Sequence, residues 1–119
     1  MITALLLGSF SINGAKAADN GPLHGRPRYE NKDGKEWIYY LTEFGTDWYL
    51  APKGETHGDL FMIQIRGVSP GVDNYGLLQI NCSKKLASAY YNPWEVIPVK
   101  SRLLNGIYGQ FCNLPIDRN

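Results

Sequence analysis

The sequence predicts an α+β fold, in which a β-sheet is followed by a C-terminal helix packed on one face. Thirteen glycines and seven prolines among 119 residues interrupt long helices, whereas eight tyrosines, four phenylalanines and three tryptophans supply rings that strands favour. Apolar residues alternate over several short segments, and a helical period occurs only near the C-terminus. A chain of this length forms one domain.

Short segments with strand patterns fill the middle of the chain. Trp37–Leu41 and Trp48–Leu50 flank a turn over residues 44–47, which predicts a hairpin. In Leu60–Arg66, every second residue is apolar, so we expect one buried face and place Arg66 on the other. The remaining segments with strand patterns are Tyr75–Cys82, Leu86–Tyr91 and Trp94–Ile97. The residues between Leu60–Arg66 and Tyr75–Cys82, including Asp73, are predicted to form a turn cluster.

The last element has a helical period. Leu103, Ile107 and Phe111 are spaced i, i+4, i+8, which predicts a helix over residues 101–112 with Ser101 as its N-cap. Gly106 is one of two glycines that weaken an isolated helix by about 1 kcal/mol each. The helix therefore depends on packing against the sheet.

Residues 1–17 are predicted to be a signal peptide. An apolar run of about 11 residues, too short to span a bilayer, precedes Ala15-Lys16-Ala17, which fits the small-x-small pattern of a signal-peptidase site. No basic residue precedes the run, so an apolar strand or helix of the fold stays an alternative. We expect cleavage after Ala17 and a periplasmic, cell-surface or secreted location, with no membrane span after leader removal.

Cys82 and Cys112 are an even cysteine count in an exported chain, where the oxidising environment makes a disulfide the default. Cys82 ends a strand on its inner face, and Cys112 ends the helix. We therefore predict that they are bonded. Two metal-binding thiolates would need clustered cysteines or flanking histidines, and neither is present in the sequence.

Charge and motifs argue against several functional classes. Twelve basic and eleven acidic residues give a formal charge of +1, which disfavours a charge-driven nucleic-acid binder. The acidic residues are spread singly and are interpreted as solvated surface charge. The two histidines, His24 and His57, lie in polar, glycine-flanked loops. A His57–Asp59 pair is the one base candidate, and no nucleophile motif accompanies it. We expect no catalytic residue, cofactor or metal.

Paired aromatic residues are the most suggestive group for binding. Tyr39, Tyr40, Tyr90 and Tyr91 form consecutive pairs on predicted strands, and one member of each pair must face away from the core. Outward tyrosines are common on surfaces that contact proteins or sugars. The four are the predicted binding face. The alternative is that they form cross-strand pairs that only stabilise the sheet.

The order of these motifs resembles the surface-adhesin E-like family of small exported bacterial domains. The resemblance covers residues 36–113 and is carried by the aromatic hairpin, Leu78-Gln79-Ile80-Asn81-Cys82, Trp94-Glu95-Val96-Ile97-Pro98 and Phe111-Cys112. Ala51 stands where family members often carry Asp. The resemblance implies an antiparallel sheet with a C-terminal helix, a disulfide and an adhesion or envelope role. A flexible lead-in (18–35) precedes this domain, and a tail (114–119) follows it.

These observations favour an exported, non-catalytic binding domain with a protein or glycan partner, adhesin-like in role. Two alternatives remain. One is a small secreted hydrolase that uses His57 and a neighbouring acid. The other is an accessory subunit of an envelope assembly that docks through an unpaired edge strand.

Overall fold

The computed structural model describes residues 21–112, which form strands and one helix. In chain order they are β1 (Tyr29–Lys32), β2 (Lys35–Glu43), β3 (Thr46–Leu50), β4 (Glu55–His57), β5 (Leu60–Ser69), β6 (Val72–Asn81), β7 (Leu86–Ala89), β8 (Glu95–Val96) and α1 (Arg102–Phe111). The predicted leader (1–17) and tail (114–119) lie outside the described residues.

The strands form one antiparallel sheet in the order β1-β2-β3-β5-β6-β7-β8. Strand β6 pairs along the whole of β5, while β3 and β4 share the other edge of β5. Most successive strands are therefore joined by short connections that alternate between the two ends of the sheet. Strands β3 and β4 instead run in the same direction along β5 and are joined by residues 51–54. The α+β fold class with an antiparallel sheet is confirmed.

One face of the sheet packs against α1. Alternate residues of the two central strands, such as Ile63 and Ile80, are buried together with Leu103 and Ile107 of the helix. This confirms the predicted alternation in the central strands and the apolar stripe of the helix. Ser101 is the N-cap, and its hydroxyl accepts a hydrogen bond from the backbone N–H of Leu104 at 3.0 Å.

Both ends of α1 are attached to the sheet. At its start, the carboxylate of Glu43 accepts hydrogen bonds from the backbone N–H groups of Arg102 (2.6 Å) and Leu103 (3.0 Å), which satisfies free donors at the positive end of the helix. At its end, the predicted disulfide joins Cys112 to Cys82, with 5.3 Å between their Cα atoms. A cross-link over 30 residues stabilises a domain by about 3 to 4 kcal/mol in the chain-entropy model.

A β-bulge in β2 changes which face its tyrosines occupy. The register shifts between Tyr39 and Leu41, so Tyr40 and Leu41 both pack toward α1 while Tyr39 packs on the opposite face. The Tyr40 hydroxyl lies beneath Gly106, where an added Cβ would be 2.5 Å from it. The glycine lets the helix approach the sheet closely.

The opposite face of the sheet carries a second, smaller core. Trp37, Tyr39, Tyr49 and Val68 are buried there, and Tyr75 packs against them. The expectation of a single buried face is therefore wrong, because this side of the sheet is covered by residues before β2.

The covering residues were predicted to be a flexible lead-in, and for the described part of 18–35 this prediction is wrong. Tyr29–Lys32 forms β1, which pairs with β2. Before it, residues 21–28, called the strap below, cross the second face and are hydrogen-bonded to Asp47 through Leu23 and His24.

Two further boundaries differ from the prediction. Asp73 lies in β6, because the turn after β5 is the two-residue Pro70-Gly71. Strand β7 ends at Ala89, and Tyr90 and Tyr91 occupy the following turn with φ of 57° and 64°. Within residues 21–112, no helix is long and apolar enough to cross a membrane.

The contact between Gly106 and Tyr40 makes two helix glycines respond differently to substitution. We expect Gly109→Ala to stabilise the protein by up to about 1 kcal/mol through helix propensity, because nothing lies within 4 Å of a Cβ there. Gly106→Ala should instead destabilise it, and Tyr40→Phe should remove most of that penalty. Urea unfolding of the single and double variants measures this coupling. Equal effects of the two alanines would contradict the packing described.

Candidate functional site

A fully buried arginine organises the second face. Arg66 has no exposed surface, and its Nε and Nη2 donate to the two carboxylate oxygens of Asp73 at 2.9 and 3.0 Å. Its Nη1 donates to Glu30 of β1 at 2.9 Å. Arg26 of the strap contacts the same two carboxylates, at 3.1 Å for Glu30 and 3.5 Å for Asp73. Two arginines and two acids thus neutralise one another.

Aromatic rings complete the environment of Arg66. Its guanidinium lies 5.2 Å from the ring centre of Tyr49 and 5.5 Å from that of Tyr75, in cation–π range of both. Its hydrogen bonds to Asp73 lower the pKa of that carboxyl and raise the pKa of the guanidinium. Burial raises the pKa of Tyr49 to about 12. The charged groups satisfy one another, so the cluster is a structural element, whereas the buried Tyr49 hydroxyl has no hydrogen-bond partner.

Asp47 holds the strap in place. Its side chain is fully buried and accepts hydrogen bonds from the backbone N–H groups of Leu23 and His24, both at 2.8 Å. The hydroxyl of Thr42 donates to it at 2.6 Å. The interpretation of all carboxylates as solvated surface charge is wrong for Asp47 and for the two partners of Arg66. The sequence signal for this cluster was an arginine near the end of an apolar strand. The assignment of Asp73 to a turn concealed its pairing with that arginine.

The structure separates the four tyrosines predicted to form a binding face. Tyr39 is 8% exposed in the second core, where its ring meets that of Tyr49 edge-on at 5.7 Å. Tyr40 lies under α1 on the other face, and burial raises its pKa to about 12.

The second pair is divided in the same way. The ring of Tyr90 lies against Gly76, in space that a Cβ would occupy, and its buried hydroxyl has no hydrogen-bond partner. Tyr91 is 81% exposed. The four side chains therefore form no common surface, and only Tyr91 is available to a partner. The proposal of a four-tyrosine face is wrong in this respect.

Several exposed apolar side chains lie at one end of the sheet. The β2–β3 and β5–β6 turns and the start of α1 meet there, because Asp47 pairs with Val68 and Glu43 binds the first N–H groups of α1. We call this surface the loop end. Its exposed large apolar residues, with exposed fractions, are Leu23 (64%), Phe44 (82%), Val72 (45%) and Val99 (96%). The β7–β8 connection, which carries Tyr91 and Trp94, begins beside Leu77, about half-way along β6.

The turns at the opposite end of the sheet are polar. They follow β1, β4 and β6 and carry Asp33, Asp59, Lys84 and Lys85, all exposed. The exposed large apolar residue beside them in the described part of the chain is Val96 (72%) of β8, which pairs with Leu86. The loop end has four such residues and is the candidate contact surface, since large exposed apolar patches on soluble domains mark interaction sites.

The two histidines lie at opposite ends of the sheet, each with a hydrogen-bond partner. His24 donates from Nε2 to the Gly45 carbonyl at 2.7 Å, and His57 pairs with exposed Glu55 at 3.2 Å on β4, at the opposite end of the sheet. No cluster of three or more potential metal ligands occurs in this range. A cleft of about 310 Å³, lined by Ala87, Val96 and Leu104 among others, opens between β7–β8 and α1.

Comparisons of the chain with protein-family models, with curated proteins and with solved structures find no match. The resemblance to the surface-adhesin E-like family stays a prediction from the sequence.

The pairing of Arg66 with Asp73 predicts an acid-sensitive stability. Because the pKa of Asp73 is lowered in the folded protein, its contribution is complete above the unfolded carboxyl pKa of about 3.9 and is lost as pH falls further. Asp73→Asn should lower the free energy of unfolding at pH 7 by about 2 kcal/mol and flatten its decline below pH 4.

Urea unfolding at a series of pH values between 2 and 7 tests this expectation. Asp59→Asn, at an exposed turn position, is the matched control and should keep the wild-type acid dependence. An Asp73→Asn variant with an unchanged decline below pH 4 would refute the role of the pair.

Proposed function

We propose that this chain is an exported, non-catalytic binding domain with an adhesin-like envelope role, and that it contacts its partner through the loop end and the exposed ring of Tyr91. The observation that carries the proposal is the group of exposed apolar side chains at the loop end, namely Leu23, Phe44, Val72 and Val99. The disulfide and the absence of a membrane-spanning helix from the described residues are compatible with export.

Backbone conformation at two exposed aromatic residues supports a binding role. Phe44 and Tyr91 have φ of 51° and 64°, in the left-handed region that bulky side chains avoid. Phe44 and Gly45 form a two-residue hairpin turn with positive φ at both positions, a turn that strongly favours Asn-Gly. Both rings are more than four-fifths exposed, so packing within the domain does not offset this strain. Strained residues of this kind cluster at functional sites.

A second candidate is the accessory subunit that docks through an edge strand. Strand β8 has two residues and lies at the edge of the sheet, and Val96 on it is 72% exposed. An exposed strand edge is a template for pairing with another chain. The secreted-hydrolase alternative has no comparable support, since His57 and Asp59 lie at an exposed turn away from the cleft beside α1.

Replacing the strained rings by asparagine separates function from stability. Phe44→Asn and Tyr91→Asn should each raise the free energy of unfolding by about 1 kcal/mol, because asparagine tolerates positive φ. The double variant should nevertheless bind envelope preparations of the native host at least about tenfold more weakly than wild type, since each lost ring removes contact area.

Sedimentation of the exported protein with these preparations, beside chemical unfolding, gives both quantities. Tyr29→Thr is the control, because Tyr29 is an exposed ring on β1 outside the loop end, and its binding should be unchanged. Unaltered binding by the double variant, together with loss of binding by Val96→Lys, would replace the proposal by docking at the β8 edge.

A further inference from the structure

Strand β8 is a sheet edge whose main-chain groups face outward. The N–H of Ile97 donates to the carbonyl of Lys85 at 3.3 Å, and Glu95 lies opposite Ala87 in the same register. Because antiparallel pairs alternate between bonded and non-bonded positions, Ile97 and Glu95 direct their main-chain groups toward β7, whereas Val96 directs its N–H and C=O away from it. Within the described part of the chain, no strand lies on that side of β8.

The surroundings of this edge are also uncovered. Val96 is 72% exposed and Trp94 is 43% exposed. On the side of the sheet that carries α1, the cleft of about 310 Å³ lies directly beside the strand, with Ala87 and Leu104 among its lining residues. An open strand edge, exposed apolar side chains and a cleft therefore adjoin one another at one short segment.

Glu95 gives the cleft its charge. It lies opposite Ala87, which belongs to the core beneath α1, and directly opposite residues point to the same face of a sheet. The Glu95 carboxylate therefore stands on the cleft side, where it is the only charged residue among the described residues that line the cleft. The ammonium of Lys85 instead lies 5.1 Å from the ring centre of Tyr108. A group that is complementary to this cleft carries a positive charge.

A second copy of this chain fits the edge poorly. A two-fold antiparallel pairing centred on Glu95 places its carboxylate opposite that of the other copy, and like charges directly opposite each other are destabilising. A pairing centred on Val96 brings Pro98 opposite Trp94, and proline has no N–H to donate. The occupant favoured by this charge is therefore a different chain.

We infer that the β8 edge and the adjoining cleft bind an extended segment of a partner protein, in which a lysine or arginine lies between two apolar residues. In an antiparallel addition, the apolar residues pair with Val96 and Trp94, and the basic residue comes opposite Glu95 with its side chain in the cleft. Main-chain hydrogen bonds then supply affinity, and the alternate side chains supply specificity. The inference goes beyond the loop-end proposal, because it names the ligand of a separate surface.

Backbone-amide NMR of the exported protein with two synthetic peptides tests the inference. One peptide is Thr-Val-Lys-Val-Thr and the other is Thr-Val-Glu-Val-Thr, each with blocked ends. We expect the lysine peptide to bind at least about fivefold more tightly than the glutamate peptide, because it places opposite charges across the strand pair. Its binding should shift the amide resonances of Trp94 and Val96.

Exchange of the charge at Glu95 separates recognition from folding. Glu95→Lys should reverse the preference, so that the glutamate peptide binds more tightly, and a loss of folding cannot produce such a reversal. Glu55→Lys, at an exposed glutamate on the short strand β4, is the matched control and should keep the wild-type preference. Phe44→Asn should also keep it, because the loop end takes no part in this contact.

Three results would overturn the inference. Unmoved amide resonances of Trp94 and Val96 with both peptides would show that the edge does not accept a strand. An unchanged preference in Glu95→Lys would show that this carboxylate does not select the ligand. Self-association of the wild-type protein that Val96→Lys abolishes would assign the edge to a second copy. The loop-end proposal is decided separately, by its own assay with envelope preparations.

Discussion

The ion cluster around Arg66 is the interaction on which the second face of the sheet depends. A guanidinium with no exposed surface is stable only if its donors are used, and Asp73 and Glu30 use them from two different elements. Glu30 belongs to β1, so satisfying the buried charge requires β1 to be in place. The strap then closes over Trp37, Tyr39 and Tyr49, with Asp47 accepting from its backbone. A segment with few apolar residues thereby covers an aromatic core.

Coverage of both faces determines where a partner can bind. One face carries α1, fixed at one end by Glu43 and at the other by the disulfide, and the second carries the strap. The edges and ends of the sheet remain accessible, and the loop end carries a group of exposed apolar residues. Phe44 and Tyr91 lie on turns whose backbone strain is not offset by packing of their rings, which connects the fold to the proposed contact surface.

Much of the first core was predictable because it follows simple periods. The helix with its Ser101 cap and the alternation in β5 come from local spacing. The Cys82–Cys112 bond comes from an even cysteine count in a chain expected to be exported. The second core was not predictable from the sequence, since it depends on a charged residue at a position that alternation assigns to solvent. Long-range pairing of Arg66 reverses that assignment.

The candidate site was predictable only in part. Tyr91 was identified, but Tyr40 was misplaced because a one-residue bulge in β2 moves it to the helix face. Phe44 was interpreted as an ordinary turn residue, since composition does not reveal its positive φ or its exposure. The loop end arises from strand order and register, which bring together two turns that are far apart in sequence.

Amide hydrogen exchange at Leu23 and His24 tests the central claim most directly, namely that the strap is an integral layer of the fold. Their N–H groups donate to a carboxylate with no exposed surface, so the account predicts exchange slowed to a degree comparable with amides of β2. In Asp47→Asn the same two amides should lose much of this protection while those of α1 keep theirs. Fast exchange of both amides in the wild-type protein, at the rate of an unstructured peptide, would contradict the account.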